Sequence, residues 1–266
     1  MNLPPLTIIG AGHMATYLLN GLAHAGVDLS QVCITDTDEA KLAHLAQRFS
    51  VQTSTDNNTA IARAEIVLLA IKPQSLSTFA QQHRDAFSHL PIVISILAGM
   101  PIAQISALLG PLPIVRAMPN ILVALSQGNT ILFAPKHYHV VEQIFAQLGV
   151  VKWVGAENQL DAYTVLTGCG PGYLFFIMQS VIDAAVALGI PENDAKTEVL
   201  QLFAGSARMA LESHHSLVEL QQQVASKKGV TERILTSLTE QHTQAIFKQA
   251  FLDGFTRNQE LKNHKE

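Results

Sequence analysis

The chain has 266 residues, 48% of them hydrophobic and 14% charged, with a formal net charge of −4. That composition excludes a disordered chain, and with no basic run beyond Lys227-Lys228 it excludes nucleic-acid binding by charge. Two cysteines, Cys33 and Cys169, exclude a disulfide framework and fit a reducing, cytoplasmic compartment; no secretion signal is expected at the N-terminus.

The first strand is predicted at Leu6–Gly10 and runs into Gly10-Ala11-Gly12-His13-Met14-Ala15, the spacing G-x-G-x-x-A, with amphipathic helix over His13–Ala25. In such a turn Gly10 allows the bend out of the strand, and Gly12 lets backbone approach a pyrophosphate. Ala15 is small enough for the helix to pack on the strand. The helix start then offers unpaired N–H groups to the anion. An ordinary glycine turn is the alternative, but the strand before and the helix after favour a dinucleotide. A second strand at Val32–Thr35 ends at Asp36. A carboxylate there can bond the adenosine ribose 2′-OH and repel a 2′-phosphate, which favours NADH over NADPH. Asp36 or Asp38 as the cap of a helix running through Phe49 is the other reading.

Ile66–Ile71 is a continuous apolar run, expected for a central parallel strand covered on both faces. Helix is predicted at Gln74–Phe87, strand at Ile92–Ile96, helix at Ile102–Leu109 and strand at Ile114–Val115. Strands at Thr130–Phe133 and Val150–Val154, around a helix near Val140–Leu148, extend the sheet. This alternation implies a doubly wound α/β sheet of Rossmann type over residues 1–159. Three tripeptide-scale features fall at strand tips on one edge, Ile71-Lys72-Pro73-Gln74, Ser95–Gly99 and Arg116–Asn120. Together they are expected to line a cofactor cleft.

After Gln159 the strand signals stop. Helices are predicted at Leu160–Thr167, Tyr173–Leu188, Asn193–Leu211, Leu217–Val224, Thr231–Leu238 and Gln241–Asn258, giving an all-helical domain over 160–266. So many apolar helices cannot all be buried in about a hundred residues, which predicts a homodimer or an assembly of dimers. Tyr173–Ile190 is almost long enough to span a bilayer, but it holds Gln179, Ser180 and Asp183 between Pro171 and Pro191. A helix buried on most sides, in part at a subunit interface, is expected rather than a membrane span. Thr167–Tyr173 (TGCGPGY) reads as a glycine-dense junction between helices, and Val224–Thr231 as a turn whose helix start suits a carboxylate. The polar tail Glu260–Glu266 is expected to fray. Cys169 is assigned to packing, and the eleven histidines show no recognised metal spacing.

The order GAGHMA, AIKPQ, SILAG, RAMPN, DAYTVLTGCGPGY and VASKKGVT resembles pyrroline-5-carboxylate reductase, from about residue 5 to residue 260. The resemblance implies a Rossmann domain, a helical dimerisation domain and NADPH or NADH reducing a cyclic imine that bears a carboxylate. By position, it implies cofactor contacts at Gly10, Gly12, His13, Met14, Asn57, Ala70, Lys72, Pro73, Met118, Pro119 and Asn120. It implies a substrate loop at Ser226, Lys228, Gly229, Val230 and Thr231, with Thr231 the catalytic candidate as proton donor or orienting hydroxyl.

A protonated imine is already a good electrophile, so the chemistry asks for alignment and a hydrogen bond at nitrogen rather than a strong acid. Four positions depart from the family pattern. Ser226-Lys227-Lys228-Gly229-Val230-Thr231 stands where S-P-G-G-x-T is usual, and Ile121-Leu122 follow Asn120 in place of threonine-proline. Ser216-Leu217 replace histidine-proline, and His13 replaces asparagine. Losing the loop proline and one glycine removes a preset bend and a position free to take positive φ. Two other readings therefore stay open: a nucleotide-binding paralogue with an altered loop and a regulatory role, and a dehydrogenase or reductase for another small carboxylated substrate.

Overall fold

The computed structural model describes residues 3–263. The chain divides into two compact units. One is built from the chain up to Pro171 and from Phe255 onwards; the other is Gly172–Gly254.

The first unit carries eight strands, β1 (Leu6–Ile9), β2 (Val32–Thr35), β3 (Gln52–Ser54), β4 (Ile66–Leu69), β5 (Ile92–Ser95), β6 (Ile114–Met118), β7 (Gly128–Phe133) and β8 (Gly149–Trp153). They form one sheet in the order β3-β2-β1-β4-β5-β6-β7-β8. β3 through β6 are mutually parallel, β7 runs antiparallel to β6, and β8 is parallel to β7. The order reverses between β1 and β4, the crevice where open α/β sheets take ligands.

Alternating side chains divide the core between the two faces, as the two-residue strand period requires. Ile8, Leu68, Ile94 and Val115 point to one face, covered by α1 (His13–His24), α2 (Glu39–Arg48) and α6 (His139–Ala146). Ile9, Val67, Leu69 and Val93 point to the other, covered by α3 (Asn57–Ala62), α4 (Leu76–His83) and α5 (Ile102–Leu109). All four residues of β4 are buried, so its uninterrupted apolar run is the sequence of a strand with helices on both sides. Asp38 caps α2 by accepting from the Ala40 and Lys41 amides, as expected; Asp56 caps α3 in the same way. β3 and α3 have no counterpart in the sequence expectations. The former is a three-residue, mostly exposed edge strand and the latter has six residues, too short for either to show a hydrophobic period.

The glycine-dense stretch is a junction between helices, as expected: α7 (Gln159–Tyr163) passes through a π-helical turn at Thr164–Gly168 into α8 (Gly170–Ala187), with the Cys169 amide donating to Thr164 O at 2.8 Å. The expectation for the tail needs correction. The tail does not fray at residue 260. After α9 (Glu192–Glu212), α10 (Leu217–Val224) and α11 (Val230–Glu240), α12 runs from Thr243 to Asn263. Its end is held by Asp161, 2% exposed, which pairs with Lys262 and accepts from Gln259 Nε2 at 3.0 Å and Asn258 Nδ2 at 3.3 Å. Residues 264–266 lie outside the described residues.

The second unit is helical. α8 and α9 share a small core of Ile182, Ala195 and Val199, and the Tyr173 and Phe251 rings meet at 5.1 Å. The helix over 173–190 is not buried on most sides within the chain: Phe175, Phe176 and Leu188 are exposed. The run Gln159–Ala187 is long and apolar enough to cross a membrane by length and composition.

Candidate functional site

At the carboxyl edge of the sheet, Gly10 leaves β1 with φ +104°, and a Cβ there would lie 2.8 Å from Ala70 O at the end of β4. The chain itself therefore demands glycine at this bend. Gly12 is different: its φ is −80°, and an added Cβ would meet nothing within 4 Å. No contact among the described residues accounts for that glycine, and its open face leaves room for a ligand against the backbone. Gly12 is the N-cap of α1, with no side-chain cap and no acidic residue in the first turn, so the helix start keeps its free amides and positive end. Ala15 is fully buried against the sheet, as the third small residue of the motif requires.

Asp36 sits beside this turn. Its Oδ2 accepts from the Ala11 amide at 2.7 Å and its Oδ1 from the Asp38 amide at 3.0 Å. Asp38, not Asp36, is the helix cap; Asp36 braces the glycine turn and keeps lone pairs to spare. A cleft of about 440 Å³ opens here, lined by Gly10, Thr35, Asp36, Asn57, Ile71 and His83 among others. Two of its atoms, Thr35 Oγ1 and Asn57 Oδ1, are buried with no hydrogen-bond partner among the described residues. A buried polar atom left unpaired costs about 1–3 kcal/mol, which a ligand offering donors recovers. Asn57 is held in place by His83: its Nδ2 lies 3.2 Å from His83 Nε2, while His83 Nδ1 lies 2.8 Å from Asn58 Oδ1. A neutral ring protonated at Nδ1 satisfies both contacts. Burial pushes the His83 pKa below its usual value, against a smaller opposing pull from Asp56, and so favours that neutral form.

A second hollow of about 510 Å³ lies on the other side of the turn, lined by Gly12, His13, Thr16, Asp38 and Lys41 among others. His13 is exposed there, its ring stacked on Tyr17 at 6.5 Å. Met14 is half-buried. At the end of β4, Ala70 and Pro73 are half-buried and Lys72 is exposed, with Pro73 opening a short 3-10 turn that carries the chain away from the strand. At the end of β6, Met118 and Pro119 are buried against the helical turn that follows Tyr163; Met118 Cγ is 3.7 Å from where a Gly168 Cβ would stand. Asn120 is 3% exposed and its side chain bonds through both its nitrogen and its oxygen. Its Nδ2 donates to Thr167 O at 3.0 Å, and its Oδ1 accepts from the Leu122 and Asn129 amides at 3.2 and 3.4 Å. Arg116 does not reach the cleft at all. It is buried in β6 and pairs with Glu157 at 3.1 Å, and the same carboxylate accepts from the Ile102 amide at the start of α5.

The loop Ser226–Thr231 belongs to the second unit. Its bend survives without the expected proline. Gly229 N–H donates to Ser226 O at 2.9 Å, and Lys228 takes φ +60° in place of a glycine. The Lys228 amide donates to the Glu232 carboxylate one turn into α11, which holds the left-handed residue in place. Gly229 is required by contact: a Cβ there would stand 2.8 Å from the backbone Ser226 O as well as against its hydroxyl. Gly229 is also the N-cap of α11, without a side-chain cap, so the amides of Val230 and Thr231 are open. Thr236 and Thr239 spend their hydroxyls on carbonyls four residues back. Thr231 has no helical carbonyl at that offset, and its half-buried hydroxyl is unpartnered among the described residues.

Comparison with known proteins gives a consistent result. Residues 157–261 match the family model for pyrroline-5-carboxylate reductase dimerisation, and residues 5–99 match the model for NADP oxidoreductase, coenzyme F420-dependent. Pyrroline-5-carboxylate reductase of Pseudomonas aeruginosa is 34% identical over 98% of each chain, and that of Haemophilus influenzae 32% identical over 97% of each. The solved structure of a pyrroline-5-carboxylate reductase from Coxiella burnetii aligns with a TM-score of 0.89 at 34% identity, covering 98% of this chain and 99% of that one.

Proposed function

The chain belongs to the pyrroline-5-carboxylate reductase family, and from that premise we propose how its residues divide the work. It is an NAD(P)H-dependent oxidoreductase acting on a C=N bond, reducing the cyclic imine pyrroline-5-carboxylate to L-proline. The reduced nicotinamide, when bound, supplies the hydride.

The residues at the carboxyl edge of the sheet suit such a dinucleotide. The amides at Gly12, His13 and Met14 hold the pyrophosphate, with Gly10 shaping the turn. Asp36 and Asn57 take the adenosine ribose, His83 fixing the Asn57 amide. Ala70, Lys72 and Pro73 meet the dinucleotide from the end of β4, and Met118, Pro119 and Asn120 from the end of β6, beyond the residues that line the cleft beside Asp36. The Asn120 side chain is tethered to Thr167 O and to the Leu122 amide, which fixes the turn at the end of β6. Asp36 favours NADH, since a carboxylate accepts from a 2′-hydroxyl and repels a 2′-phosphate.

Substrate handling falls to Ser226, Lys228, Gly229, Val230 and Thr231. The open amides of Val230 and Thr231 receive the substrate carboxylate, with Lys228 adding positive charge. The Thr231 hydroxyl donates a hydrogen bond to the imine nitrogen and needs no shifted pKa to do so. The observation that carries this reading is the uncapped first turn of α11, which offers free amides and a free hydroxyl side by side. Residues 1–159 then serve as the dinucleotide-binding domain and 160–266 as the dimerisation and substrate domain. The working form is a homodimer, or an assembly of dimers, that covers the apolar helices; no membrane or nucleic acid takes part. Two free thiols, one exposed, suit a reducing cytoplasm. The test is oxidation of NADH and of NADPH in the presence of pyrroline-5-carboxylate. Turnover with the higher kcat/KM for NADH is expected; cofactor binding without turnover sinks the assignment of roles.

A further inference from the structure

The linker from β7 into α6 brings three metal-ligating side chains together. His137, His139 and Glu142 have their donor atoms within 4.8 Å of one another. One carboxylate oxygen, Glu142 Oε2, lies 3.0 Å from His137 Nε2 and 3.5 Å from His139 Nδ1. A tetrahedral first-row cation with bonds of about 2.0–2.1 Å sets its ligand atoms about 3.4 Å apart. The two edges to the carboxylate bracket that value, and the third, between the histidine nitrogens, lies within 4.8 Å, so side-chain rotation that draws the two exposed imidazoles together would admit an ion among the three atoms.

The surroundings support the arrangement. His137 packs against the Trp153 ring at 4.6 Å between centroids, which orients its imidazole. The other nitrogen of His139, Nε2, lies 3.1 Å from the Gln143 carboxamide nitrogen. Turning that amide over presents its oxygen to the Nε2–H that a metal-bound Nδ1 leaves on the ring, the outer contact metal-bound histidines normally make. The neighbouring cation, Lys136, lies over the Tyr138 ring at 5.1 Å. His137, His139 and Glu142 stand 51%, 73% and 34% exposed, so an ion has open entry.

We propose that His137, His139 and Glu142 form a site for a divalent first-row transition cation of the zinc, nickel or copper class, with its remaining positions open to water. Two imidazoles and one carboxylate select that class over calcium and magnesium, which take oxygen ligands. The site is remote from the dinucleotide edge. β7 runs antiparallel to β6, so its end, and that of β8 at Trp153, lies at the amino edge of the parallel strands. Occupancy therefore ties the β7–α6 linker to α6 and leaves the cofactor cleft untouched.

Trp153 is the only tryptophan in the chain and adjoins His137, so its emission reports this site alone. The experiment titrates untagged full-length protein with Zn²⁺ and with Cu²⁺, following tryptophan emission and counting bound metal after equilibrium dialysis. His139→Ala and Glu142→Gln are compared with the parent, neither being placed in the catalytic or cofactor machinery. Expected for the parent are Zn²⁺ binding that shifts the emission, Cu²⁺ binding that quenches it and a Tm raised by Zn²⁺. Each variant weakens the emission-linked binding at least tenfold and leaves imine reduction unchanged. An unresponsive parent, or variants that respond as the parent does, overturns the proposal; metal counted by dialysis without an emission change places it elsewhere and also overturns it.

Discussion

Single residues carry most of the proposed chemistry, and Thr231 the sharpest part of it. Its hydroxyl is idle in the chain, so Thr231→Ala removes no internal hydrogen bond and the fold should be unharmed. Losing a hydrogen bond to the reacting nitrogen costs about 1.5–3 kcal/mol, so kcat should fall by roughly ten- to a hundredfold. Cofactor affinity, measured by fluorescence titration, should stay within about twofold; equal losses in both remove Thr231 from its role. Three residues earlier, Lys228 holds φ +60° where a side chain is disfavoured by about 1–2 kcal/mol. Lys228→Gly keeps the amide bonded to Glu232 and should therefore raise the Tm in a thermal melt; an unchanged or lower Tm shows that the chain entropy of the added glycine outweighs the relieved strain. Asp36 spends one lone pair on the Ala11 amide of the glycine turn and one on the Asp38 amide, and has others for a ribose. Asp36→Ser should move the ratio of kcat/KM for NADPH over NADH upward by about tenfold or more, one hydrogen bond to a charged group plus a relieved repulsion. An unchanged ratio leaves Asp36 as a brace of the turn alone.

Among the elements, the joint between α7 and α12 links parts of the sequence about a hundred residues apart in one unit. Asp161 is nearly buried, and its charge is met by Lys262 with Gln259 and Asn258 alongside. Removing one partner of a buried pair leaves the other charged and unpaired, at about 3–5 kcal/mol. Asp161→Ala should lower stability by that order in urea unfolding and release the end of α12 to proteolysis first; a loss under about 1 kcal/mol contradicts the pairing. This joint was illegible in the sequence. Lys262 sits in a polar tail whose composition argues for fraying, and only the folded chain brings it to an aspartate about a hundred residues earlier. β4 and α1 were legible for the opposite reason: the run IVLLAI and the spacing of Gly10, Gly12 and Ala15 carry their burial and turn geometry locally. β3 and α3 lacked enough residues to show a period, and the π-helical turn hid behind glycines that elsewhere mark a break. In the site, motif spacing marked the turn and the loop, but the bond from Asp36 to Ala11, the His83 support of Asn57 and the tether of the Asn120 side chain to Thr167 are tertiary facts. Positive φ at Lys228 was hidden because a pair of lysines reads as a loss of that conformation, whereas the Glu232 carboxylate preserves it.

For the molecule as a whole, the second unit cannot account for its own stability. Gly172–Gly254 has three fully buried apolar side chains among its described residues, Ile182, Ala195 and Val199. That is a small core for a unit of this length, so most of its apolar side chains find no cover within the unit. Meanwhile Phe176 is 73% exposed, Leu188 85%, Leu202 62%, Leu211 86% and Leu217 72%. A bilayer could cover only the single run Gln159–Ala187. It would leave Leu202, Leu211 and Leu217 beside Arg208 and Glu212, whose ion pair at 2.9 Å belongs in water or at an interface rim. A second copy of the chain offers the same helices and can cover all of them through self-complementary contact. Phe176→Asp sets a carboxylate into that contact, where an unpaired buried charge costs several kcal/mol. In sedimentation velocity the parent should run as a dimer or a multiple of dimers, and Phe176→Asp should shift toward monomer with a lower Tm and parallel loss of imine reduction. A parent that sediments as a monomer while fully active would end the argument, because those five side chains would then face water at no cost to the fold.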